Sequence, residues 1–77
     1  MRFKGTIGLT SIDKYTINGA AAEFPSKTAE VGDTYRVVTA GSYANINCEV
    51  GDLLICIKAD PTGANTAWTV AQTNING

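Results

Sequence analysis

The stretch Glu49-Val50-Gly51-Asp52-Leu53-Leu54-Ile55-Cys56-Ile57-Lys58 decides how this chain is read. Its apolar half has no helical periodicity. As a strand it sends Leu53, Ile55 and Ile57 to one face and Leu54 and Cys56 to the other. A strand apolar on both faces belongs inside a sheet that is covered on both sides. Residues 53–57 are therefore expected as the central strand. In a chain of 77 residues, one of the two covering layers can be another subunit.

The turn in front of that strand has an echo. Glu30-Val31-Gly32-Asp33 precedes Thr34-Tyr35-Arg36-Val37-Val38-Thr39 just as Glu49-Val50-Gly51-Asp52 precedes 53–58. Turn chemistry accounts for it: Gly32 and Gly51 supply a positive φ, and Asp33 and Asp52 can hydrogen-bond the backbone just beyond them. Each following strand then starts in a fixed register. The competing reading makes Asp33 and Asp52 paired catalytic or metal-binding carboxylates. Two tetrapeptides do not make a repeat fold, and the residues around them differ.

Outward from this pair, the rest reads as short strands between Gly, Asp and Asn turns. In residues 2–9, Phe3, Gly5, Ile7 and Leu9 alternate with polar or small residues, a half-buried strand whose glycines permit close approach or a bulge. Residues 12–17 are β-prone but alternate weakly, as an edge strand would, and end at an Asn18-Gly19 turn signal. Ala20-Ala21-Ala22-Glu23-Phe24 is the one helix-friendly segment; Pro25 limits it to a single turn inside a connection spanning 19–30. Residues 43–48 alternate with Ala44, Ile46 and Cys48 on one face, and are expected to form a hairpin with 53–58. Asp60 to Asn65 is a turn-rich loop, and only Asp60 in it carries charge, a poor calcium loop. Residues 68–73 form a last strand with Trp68 and Val70 inward. The fold class is all-β: a small antiparallel β-sandwich or partly open barrel of about 5–7 short strands.

Size and charge bound the function. A chain this short buries roughly 60% of its unfolded surface, and its core supplies only about 3–5 kcal/mol. A disulfide, a metal or a partner chain is expected to add to this. Hydrophobic residues make up 44% and charged residues 17%, so the chain is not disordered by composition. Thr, Asn and Ser supply much of the polar surface, which can be buried against a neighbouring copy. The net charge is −1 and the six basic residues are scattered, against nucleic acid and anionic membranes as partners. No apolar run reaches the roughly 18 residues of a membrane span, and the N-terminus lacks an apolar signal region. Cys48 and Cys56 are either a hairpin disulfide or two buried, reduced core residues; with no His and no CxxC, a zinc site is not expected.

Chemistry is missing as well. Without His the usual general base is absent, and Ser11, Ser26 and Ser42 have nothing to activate them. No phosphate-binding glycine motif occurs. No enzyme and no cofactor is expected. The candidate ligand contacts are aromatic: Trp68 either plugs one end of the core or stacks on a sugar, and Tyr43 is expected to be partly exposed.

The segments Gly32 to Ala44, Cys48 to Cys56 and Ala67 to Gly77 together resemble a module of tailed-phage and prophage fibre proteins, and Phe3-Lys4-Gly5-Thr6-Ile7-Gly8 is similar to the way such modules begin. The match covers 31–77 well and 3–8 loosely; residues 9–30 depart from it. The resemblance implies a non-catalytic virion structural module of a tail fibre or head fibre, made in the bacterial cytoplasm. It implies a homotrimer contributing to assembly and to attachment to a bacterial surface glycan or protein. Residues 1–77 are then a single module from a longer fibre protein. The alternative is a carbohydrate-binding module of a bacterial surface or secreted protein.

Overall fold

A computed structural model of the chain describes residues 2–12, 14–26, 28–59 and 66–71. All regular structure among them is β, in eight strands. These are β1 (Arg2–Ser11), β2 (Lys14–Ile17), β3 (Ala20–Ala22), β4 (Asp33–Val37), β5 (Gly41–Tyr43), β6 (Ile46–Cys48), β7 (Leu53–Lys58) and β8 (Ala67–Ala71). Six form one sheet in the order β3-β2-β1-β4-β7-β8, and β5 and β6 form a separate hairpin. The fold class is the expected one, with two differences. The sheet is mixed, because β1 and β4 run parallel. The strands number eight because two segments broke differently from expectation.

The first is the alanine run, a strand and not a helical turn. Asn18 (φ 53°) and Gly19 (φ 83°) form a two-residue hairpin loop with both residues left-handed, which pairs Ile17 with Ala20. That turn carries Ala20–Ala22 back along β2, so β3 is the edge strand and β2 lies inside. The second is 43–48. Ala44 (φ 52°) and Asn45 (φ 63°) fold it into the β5–β6 hairpin, with Tyr43 opposite Ile46. Ala44 is consequently exposed. β7 does not pair with this segment; its neighbours are β4 and β8. β7 is therefore second from an edge and not central. The expected loop at 60–65 and residues 72–73 lie outside the described residues.

The core contains Ile7, Ala29, Tyr35, Val37, Tyr43, Cys48, Leu54, Cys56 and Trp68, with Leu9, Tyr15, Ile17, Phe24, Ile46 and Val70 packed against it. One face of the sheet supplies most of these, and the β5–β6 hairpin lies over that face. Trp68 and Val70 point inward as expected.

β1 bulges at Lys4. Phe3 lies opposite Thr34, yet Gly5 lies opposite Tyr35. The extra residue reverses the alternation, so Phe3 leaves the face of Ile7 and stands 62% exposed. Asn18 fills the resulting gap: its Oδ1 accepts from the Thr6 N–H at 3.0 Å and its Nδ2 donates to the Lys4 carbonyl at 3.4 Å. Gly5 has φ 133°, and a Cβ there would collide with the Asn18 side-chain amide.

Candidate functional site

The two Glu-Val-Gly-Asp turns share one geometry. In the first, the Asp33 N–H donates to the Glu30 carbonyl at 3.0 Å while Asp33 Oδ2 accepts from the Glu30 N–H at 3.0 Å. In the second, the Asp52 N–H donates to the Glu49 carbonyl at 3.1 Å and Asp52 Oδ2 accepts from the Glu49 N–H at 2.9 Å. With φ 95° at Gly32 and 98° at Gly51, both are type II turns. The aspartates thus bond backward to the start of their own turn, not forward as expected.

The copies are related by a local twofold. Tyr35 pairs with Leu54 at its centre. The Gly32 N–H donates to the Cys56 carbonyl and the Gly51 N–H to the Val37 carbonyl, each at 2.8 Å; both partners follow the same offset of 19 (32 to 51, 37 to 56). Each turn caps the other copy's strand. Asp33 and Asp52 consequently sit at opposite ends of the β4–β7 pair. Both are buried, at 2% and 0% exposure. Oδ1 of each takes no hydrogen bond among the described residues; Arg2 Nη1 lies 3.6 Å from Asp33 Oδ1 and 3.1 Å from Glu30 Oε2. Among the described residues, no cluster of three or more His, Cys, Asp or Glu is placed to hold a metal.

The two candidate ligand contacts are interior. Tyr43 is 0% exposed, against the expectation of partial exposure, and its hydroxyl donates to the Thr39 carbonyl at 2.6 Å. Trp68 is 8% exposed and packs against Phe24 and Tyr35. Its Nε1–H donates to Thr66 Oγ1, whose own hydroxyl donates to the Ser26 carbonyl. Neither ring has a free face for a sugar. They end up inside because five rings form a continuous chain. Tyr43 meets Tyr15 at 5.9 Å, Tyr15 meets Phe24 at 5.3 Å, Phe24 meets Trp68 at 5.3 Å and Trp68 meets Tyr35 at 6.0 Å, all tilted or edge-on.

Cys48 and Cys56 are free and buried, so the disulfide alternative does not hold in this structure. Burial pushes both thiols up, the nearby Asp52 adding to the effect at Cys48 and Asp33 at Cys56. Neither is an activated thiolate.

Two surface features of the described residues bear on binding. One is a groove of about 610 Å³ where β1 and β2, the 23–26 segment and the β5–β6 hairpin meet; Tyr15, Phe24, Glu23, Ser42 and Asn45 line it. The second is the sheet face opposite the core. There Phe3, Thr34, Ile55 and Thr69 lie in register across β1, β4, β7 and β8, with Phe3 and Thr69 exposed and Thr34 buried between Phe3 and Ile55. Leu53 and Ile55 are half-buried, and Ile57 is 54% exposed. Comparison of the chain with family models, with curated proteins and with solved structures finds no match in any of the three.

Proposed function

We propose that this chain is a non-catalytic structural module of a bacteriophage fibre, a building block of the virion that assembles with copies of itself as a homotrimer and contributes to host-surface attachment. The observation behind it is the outer sheet face. Ile57 stands exposed there beside half-buried Leu53 and Ile55, on the one strand whose sequence demands cover on both sides, and Phe3 of β1 stands exposed on the same face. Such a patch marks an interaction surface, and a core this small gains stability from being covered. The fibre assignment draws on the resemblance of residues 31–77. The aspartates favour the non-catalytic reading, since each is engaged in its own turn at the far end of the β4–β7 pair from the other.

Light scattering at micromolar concentration tests the assembly. The expected result is one species near three times the chain mass of 8.1 kDa. Replacing Phe3 and Ile57 by Ser should release monomer with unchanged far-ultraviolet circular dichroism. A parent protein that is monomeric throughout sinks the self-assembly. The alternative, a carbohydrate-binding module, draws on the groove.

A further inference from the structure

We infer that the groove between β2, the 23–26 segment and the β5–β6 hairpin is a binding site for a neutral pyranose sugar. This deepens the attachment role proposed above and rests on it only for where the sugar comes from.

Its floor is apolar and partly aromatic. Leu9, Tyr15 and Phe24 are half-buried there, anchored from beneath by the ring chain that runs to Trp68. Its rim is polar. Glu23, Ser42 and Asn45 are exposed, come from two separate segments, the 23–26 connection and the β5–β6 hairpin, and converge on one space. Their side chains make no hydrogen bond with the described residues, whereas Asn18 and Tyr43 have theirs committed to the backbone. An apolar floor under uncommitted donors and acceptors matches a sugar ring, which presents C–H groups on its faces and hydroxyls around its edge. The volume, about 610 Å³, falls within the range of small-molecule sites.

Charge narrows the class. The described lining has one carboxylate, Glu23, and no Lys or Arg. A carboxylate accepts hydrogen bonds from sugar hydroxyls but repels uronic and sialic acids. Asn45 supplies the matching donor. Its left-handed φ of 63° is shared with Ala44 at 52°, and together they raise the hairpin tip to the groove's edge.

The test is an NMR titration of the ¹⁵N-labelled protein with methyl glucoside, methyl galactoside and N-acetylglucosamine, with N-acetylneuraminic acid as the anionic comparator. At least one neutral sugar should give saturable shifts centred on Leu9, Tyr15, Phe24 and Asn45. Glu23→Ala and Asn45→Gly should each weaken that binding about tenfold. Asn45→Gly keeps the positive φ accessible, and both side chains are exposed, so spectra elsewhere should match the parent. Ser42→Trp, filling the groove from the exposed face of β5, should abolish the shifts. No saturable shift with any neutral sugar, tighter binding of N-acetylneuraminic acid, or parent-like binding by all three variants each overturns the site. The titration reads the groove in monomer or oligomer alike, so this inference and the assembly can fail separately.

Discussion

Asp33 and Asp52 show what a buried carboxylate does when its work is local. Each holds the amide of the glutamate that opens its turn. Removing the side chain takes that acceptor away. Asp33→Ala and Asp52→Ala should therefore each lower stability by about 1–3 kcal/mol, read as a fall in the urea midpoint at constant slope. Arg2→Ala should cost less than about 1 kcal/mol, because that guanidinium is largely in water. Parent-like midpoints for both aspartate variants would mean the turns do not depend on them. Gly5 is the other demanding position, with φ 133° and Asn18 packed where a Cβ would go. Gly5→Ala should cost about 1–3 kcal/mol from the backbone alone, with the clash added, and a parent-like melt would refute this account of the bulge. The need for glycine at 32 and 51 was legible in the sequence from the doubled tetrapeptide. The direction in which the aspartates reach was not, because a carboxylate at the end of a turn can bond either way and only the folded backbone selects one.

Strands whose patterns were strong are strands in the structure, β1, β4, β7 and β8 following alternation or an unbroken apolar run, although β7 sits second from an edge and not at the centre. The failures came where a turn overrode a propensity. Ala20–Ala22 is helix-friendly in composition, but the Asn18-Gly19 loop delivers it alongside β2, and pairing decides. At 44–45 the alternation of 43–48 concealed a turn, since Ala-Asn lacks the glycine that usually announces a left-handed pair. That exception is testable. Ala44 holds φ 52° at a steric cost that glycine does not bear. Ala44→Gly should raise stability by about 1 kcal/mol, while Ala21→Gly in β3 should lower it by about 0.5–1 kcal/mol. Thermal melts of the two variants should move in opposite directions; a common direction would refute the assignment of strain to residue 44.

For the molecule as a whole, the interior is tuned to neutral conditions. Burial pushes the Tyr35 and Tyr43 phenols up, as it does the two thiols. A group with a raised folded pKa holds its proton while the unfolded chain releases it, so stability is full below the ordinary value and drains away as pH climbs above it. The loss should begin near 9.0, where the thiols ordinarily titrate, and steepen past 10.0 as the tyrosines join. Urea midpoints should agree at about pH 7 and 8 and drop by about pH 10 and 11; a flat profile across that range would contradict the burial of these groups. At this scale the sequence was least informative about the groove. Tyr43 and Trp68 are the aromatics beside turns, yet the rings that line the groove are Tyr15 and Phe24. Their environment is built from segments remote in sequence, and no local pattern records that convergence.

β1 is gripped on both sides, antiparallel to β2 and parallel to β4, and it alone joins the first three strands to the rest of the sheet. Traction on its leading end acts along the strand, so it must slide past both neighbours, shearing two ladders of hydrogen bonds together instead of peeling them one by one. A unit built this way resists being drawn out by the leading end of β1.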